Sequence, residues 1–177
     1  MTMQPRKTAL TASLLGVFAA HNCEEVAHFY QDIEALPHRI RECGPWSSQQ
    51  DFALATALLT GASALALVAG ACLPHGKLQQ VLVLGPPSAL VGNAMSHICR
   101  GLIQRRYNGG LMTAPLMAGI AGRLITKAGA GLPARTRWGI YIGSNAATLP
   151  LIFVALAAGK RVRPLLPIAL SPQAYSK

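Results

Sequence analysis

Apolar residues fall into five long runs, at positions 8–30, 52–73, 81–104, 111–130 and 138–158, divided by short polar or Gly/Pro-containing stretches. Each run approaches or exceeds the ~20 residues that carry a helix across about 30 Å of hydrocarbon. The pattern predicts an all-α polytopic membrane protein, a compact bundle of about five transmembrane helices. The whole chain, 1–177, reads as a single integral membrane domain that ends in a loose tail at 165–177. The longest polar connection, 31–51, contains Pro37, Gly44 and Pro45. It reads as a loop at the membrane surface with a short amphipathic piece around 33–40. Gly85, Pro86 and Pro87 are expected to kink the third helix or to mark its true start, because neither proline has a backbone donor. The fourth run is interrupted by Arg123 and Lys127, so it is expected to tilt or to cross with Arg123 turned toward the bundle interior. Positions 1–20 have the charged-then-apolar form of a secretory signal. The helical pattern nevertheless continues to Tyr30 without a breaker, which favours a retained first helix.

Two polar stripes interrupt the apolar pattern. His21, Glu24, Glu25 and His28 lie on one side of the first helix, within a sector about 100° wide. Asn93, His97, Arg100 and Gln104 converge within about 40° on the third. The two helices run in the same direction, and each stripe begins twelve or thirteen residues into its run. The stripes therefore lie at similar depth and can meet. Ionisable groups at membrane depth are costly, so such a meeting marks a candidate functional site.

Composition sharpens this picture. The chain is 51% hydrophobic and only 12% charged, and its six acids (Glu24, Glu25, Asp32, Glu34, Glu42 and Asp51) all precede residue 52. A bundle built this way has one acidic locus. The net charge of +10 comes from basic residues placed singly or in short groups at the ends of apolar runs, such as Arg105 and Arg106. That placement suits lipid headgroups as partners and argues against nucleic acid. Counting Lys and Arg on the two sides mildly favours a cytoplasmic C-terminus. The four cysteines form no CxxC pair, so neither a disulfide framework nor a structural zinc site is expected, and Cys23 and Cys99 read as packing residues. His38 and His75 read as surface histidines. Gly139 and Gly143 have the small-xxx-small spacing that lets helices approach closely, which leaves a homo-oligomer open.

Glu25 and His28 have the i, i+3 spacing that projects two metal ligands into a helical core. With His21 and His97 they would form a mixed nitrogen and oxygen set for one divalent metal ion: zinc, iron or manganese. A metal-free site is the alternative, in which Glu24 or Glu25 beside an imidazole exchanges protons. Three functions fit: an enzyme acting on a lipophilic small molecule, a small proton-coupled transporter, or a scaffold whose polar stripes only lock helix register.

The segment His21-Asn22-Cys23-Glu24-Glu25, followed by Asn93-Ala94-Met95-Ser96-His97 and by Tyr107-Asn108-Gly109-Gly110 with Thr113, resembles the HXXEE family of bacterial membrane proteins. The resemblance implies a multi-pass protein of the bacterial inner (cytoplasmic) membrane. It also implies a site of His21, Glu24, Glu25, Asn93 and His97, accompanied by Tyr107, Gly110 and Thr113. On the enzyme reading, Glu24 or Glu25 is base or metal ligand, His21 and His97 are ligands or proton partners, and Asn93 is an orienting donor. In the scaffold alternative, Arg100 neutralises a glutamate while His97 and Asn93 only hydrogen-bond. Gly109 stands where the family pattern has proline, and the family implies no particular reaction.

Overall fold

A computed structural model describes residues 5–43 and 48–165; the expected tail beyond Leu165 lies outside the described residues. The described residues contain seven α-helices, one 3₁₀ turn and no strand. In chain order the helices are α1 (Pro5–Ala27), α2 (Phe29–Glu34), α3 (His38–Cys43), α4 (Gln49–Cys72), α5 (Lys77–Gln104), α6 (Ala114–Ala128) and α7 (Ala134–Val162). The five apolar runs all become helical, the fourth as the shorter α6 and the first ending at Ala27, and the 31–51 connection includes the short α3.

Three of them, α4, α5 and the α7 segment, are long and apolar enough to cross a membrane. The expectation of about five spans is reduced for specific reasons. Helix α6 has 15 residues, which reach about 22 Å, short of a hydrocarbon core. Its Arg123 and Lys127 are exposed, so the arginine does not turn inward. Helix α1 is 23 residues long but carries Glu24 and Glu25 near one end and Arg6 and Lys7 near the other, which leaves a shorter apolar centre.

Pro86 and Pro87 do not restart α5, which runs unbroken from Lys77 to Gln104. Proline's fixed φ is compatible with helix, and the loss is confined to donors for the carbonyls of Leu82 and Val83. Pro115 lies in the first turn of α6, where a missing N–H has no helical partner to lose.

The main core joins α1, α5 and α6 through Leu14, Phe18, Leu90, Ala94, Met117 and Leu124. A second cluster, Ala55, Ala155 and Leu156, joins α4 to α7. The outer faces of α4 and α7 stay apolar, with Leu58, Leu65, Ile142, Leu149 and Val154 exposed. Only 17% of the apolar window of α4 and 11% of that of α7 is buried, against 39% in α5. Helix α5 is therefore central, while α4 and α7 offer the continuous apolar surface that lipid rather than water accommodates. The glycines at 139 and 143 also face open space. Cys23, Cys72 and Cys99 are exposed rather than packed in the core, and His38 and His75 are exposed as expected.

Candidate functional site

Among the described residues of α1, Leu14, Phe18, His21 and Asn22 are buried, a face with helical spacing. Asn22 anchors α1 to α4 by donating to the Thr56 carbonyl at 3.2 Å and to Thr60 Oγ1 at 2.6 Å. Gln49 of α4 donates to the Val26 carbonyl at 2.6 Å. The α1 backbone packs on α4 and α6, and its polar side chains reach across to α5.

The two stripes meet as their depths predict. His97 Nε2 lies 2.9 Å from Glu25 Oε1, and His21 Nε2 lies 3.7 Å from the same oxygen. Asn93 Nδ2 is 3.0 Å from His21 Nε2. The imidazoles of His21 and His97 stand edge to face with centroids 4.8 Å apart. His21 is fully buried, and His97 is nearly so.

The surrounding acceptors determine which ring nitrogen of each histidine carries a proton. Thr113 donates its hydroxyl to Glu24 Oε2 at 2.7 Å, so it accepts from His21 Nδ1 at 2.8 Å. That leaves His21 Nε2 as the acceptor for Asn93. Asn108 Oδ1 accepts from Arg100 Nη2 at 3.1 Å and lies 2.9 Å from His97 Nδ1, which must therefore donate to it. Both histidines thus commit Nδ1 to a fixed acceptor and turn Nε2 toward Glu25. The 2.9 Å contact between His97 and Glu25 contains a proton shared by the pair.

Glu24 has a different environment. Its carboxylate accepts from the Met112 backbone N–H at 2.9 Å, the Thr113 N–H at 3.1 Å, the Thr113 hydroxyl and the Tyr107 hydroxyl. It ties the start of α6 and the 105–113 loop to α1. Partial burial, followed by the bond to Glu24, pushes the Tyr107 phenol up to about 12.

His28 does not join the cluster. Helix α1 ends at Ala27, and the His28 backbone, at φ −102° and ψ 10°, leaves helical geometry. The i, i+3 projection from Glu25 is lost, and the His28 ring lies 4.9 Å from that of Tyr107, with Nδ1 2.9 Å from the Glu24 carbonyl of its own helix. Arg100 pairs with Asp32 at 3.3 Å rather than with a glutamate of the motif. Gln104, at the end of α5, is exposed.

Asn108 and Asp32 are the residues that sequence reasoning missed. Asn108 is buried, fixes both His97 and Arg100, and donates to the His97 carbonyl at 3.1 Å. Asp32 accepts from the Gly109 N–H at 2.9 Å. A proline at 109 would lack that donor, so the departure from the family pattern creates a bond here. One signal existed in the sequence: Asp32 lies seven residues after Glu25, two helical turns on. Gly110 has φ 88°, and a Cβ there would overlap the His21 ring. This glycine lets the loop lie against the imidazole.

His21, Glu25 and His97 each offer one ligand atom, and these atoms lie within 4.8 Å of one another. A cavity of about 460 Å³ adjoins them, walled mainly by apolar residues of α1, α4, α5 and α7, and Glu25 and Asn93 form part of its lining.

Fold and site together define a helical protein with three helices suited to crossing a membrane and a buried His/Glu/His cluster beside an apolar cavity. The chain belongs to the HXXEE family, described as proteins of unknown function with an HXXEE motif, whose family model matches residues 12–122. No curated protein and no solved structure matches the chain.

Proposed function

We propose that this protein is a membrane enzyme of the bacterial inner membrane that holds one divalent metal ion, zinc, iron or manganese, on His21, Glu25 and His97 and acts on a lipophilic substrate. One observation supports this most: both imidazoles engage Nδ1 with fixed acceptors while their Nε2 atoms face one carboxylate oxygen. Metal-ligating histidines usually give their second ring N–H to such an acceptor, which fixes the tautomer and the ring orientation. Two histidines and one glutamate also make a known set for a catalytic centre with an open position.

The spacing is compatible with that role. Ligand bonds of about 2.0–2.2 Å place tetrahedral ligand atoms roughly 3.3–3.6 Å apart. The 3.7 Å separation of His21 from Glu25 is close to this range, and the shorter His97 contact contains a proton that a metal ion would replace. Such an ion supplies Lewis acidity and an activated water at neutral pH. The chain's own groups supply the rest: the Asn93 amide orients an acceptor in the cavity, Glu25 presents its carboxylate on the cavity wall, and Thr113 and Asn108 hold the two imidazoles in place.

Elemental analysis of purified protein tests this reading, comparing wild type with Glu25→Gln, His97→Gln and Glu24→Gln. The expected result is about one equivalent of metal in wild type. The first two variants should lose it with helix content intact, whereas Glu24→Gln should keep it but melt lower. Carefully prepared wild type without metal would overturn the metal centre and leave Glu25 and His97 as an acid–base pair. If the Glu25 and His97 variants unfold in mild detergent, the polar groups act as a lock on helix register.

A further inference from the structure

The cavity beside Glu25 has a shape that the metal site alone does not require. Its lining runs from Phe52 to Ala66 on α4, from Val81 to Asn93 on α5 and from Ser144 to Leu156 on α7. At the helical rise these stretches span about 18–21 Å. The cavity therefore runs along the helices. Its volume of about 460 Å³ is comparable to that of one long hydrocarbon chain.

Polarity varies along the slot. Glu25, Asn93 and Asn22 lie at one end, while Val81, Leu82 and Ala66 lie toward the other. The hydroxyl groups of Thr56 and Thr148 are spent on carbonyls of their own helices at 2.9 Å, so Ser63 and Ser144 are the remaining hydroxyls in otherwise apolar walls. Asn22 is spent on Thr56 and Thr60. Glu25 and Asn93 thus form the polar terminus.

The slot has a side opening. Ala62 of α4 and Ala147 and Leu151 of α7 line the cavity and are all three exposed, so the cavity is not closed off on the α4/α7 side. Helix α4 and the α7 segment are both suited to crossing a membrane. An opening between them faces hydrocarbon.

From this geometry we infer that the α4/α7 opening admits a single-chain lipid from the bilayer, with its tail along the slot and an uncharged oxygen-bearing head, an ester, amide or alcohol, at Glu25 and Asn93. A neutral head suits the pair, because the amide donates and the carboxylate accepts. The inference rests on the reading of Glu25 as the reacting end, and it adds the substrate class and the entry route.

Photolabelling of the full-length protein in nanodiscs tests it, using hexadecanol that carries a diazirine near the end of its chain. Labels are expected on α4 near Ala66 and on α5 near Val81, with competition by unlabelled hexadecanol. Ala89→Phe and Ala147→Phe should each lower labelling by about tenfold or more, and competition should then favour octanol over hexadecanol. Circular dichroism and melting in the same preparations show whether each variant is folded, and two positions on different helices keep the test open if one is not. Labels scattered over outward residues such as Leu102 and Trp138, and unchanged by both variants, would overturn the inference. Repeating the experiment after chelation separates the two ideas. Slot labelling that survives metal removal supports the lipid slot whatever the outcome for the metal, whereas bound metal without slot labelling overturns the slot alone.

Discussion

Glu24 and Glu25 are adjacent in sequence but do different work. A step of one residue turns a helix by about 100°, enough to send one carboxylate to the 105–113 loop and the other to His97 and the cavity. Glu24 is saturated with donors, Tyr107 among them, and ties the loop in place. Since the Tyr107 phenol is raised to about 12 from an ordinary value near 10, it stays protonated across the physiological range. The sign follows directly: its stabilising contribution is fully present below about pH 10 and is lost as pH rises toward 12. Tyr107 is 42% exposed, so the effect is small, within roughly 1 kcal/mol. The melting difference between wild type and Tyr107→Phe should be constant from pH 6 to 9 and shrink in stronger alkali. A difference that collapses near pH 8 would show that another group controls the contact.

At the scale of elements, the 105–113 loop organises the site although it is neither helix nor strand. Thr113, Asn108 and Glu24 bind one another or the two histidines, and the glycines at 109 and 110 let this backbone reach α1. Gly110→Ala should combine a left-handed backbone penalty of about 1–2 kcal/mol with displacement of the His21 ring. Gly131→Ala is the matched control, because φ is 83° there but the space around it is open. Melting should fall in both variants, further for Gly110→Ala, and only Gly110→Ala should reduce bound metal. Equal losses would mean that the loop does not position His21. The helices themselves were legible from apolar runs, because helix length and periodicity are local properties. Their ends were less so: α1 breaks at His28, α5 continues through two prolines, and α6 stops at 15 residues.

Among the described residues, α4 and α7 present apolar surface outward, while the His21/Glu25/His97 cluster lies between α1 and α5. Leu149 lies near the middle of α7 and is 61% exposed. Leu149→Lys should cost about 3 kcal/mol in membrane insertion and lower the amount recovered in washed membranes. In a water-facing helix the same change would be nearly neutral, so unchanged recovery would argue against α7 as a span.

Residue order alone made clear which segments are helical, which positions carry the polar chemistry and that His21 and Glu25 lie at the depth of Asn93 and His97. These properties follow from the fixed rise and turn of a helix, which hold before any packing occurs. The roles of individual residues within the stripes needed the folded molecule. Which glutamate faces the cavity, why His28 falls outside the cluster, and how Asn108 and Asp32 enter it all depend on a loop whose path is set by contacts between residues 70 to 90 positions apart. The slot is tertiary for the same reason: it is the space left between four helices, and no single helix encodes its width.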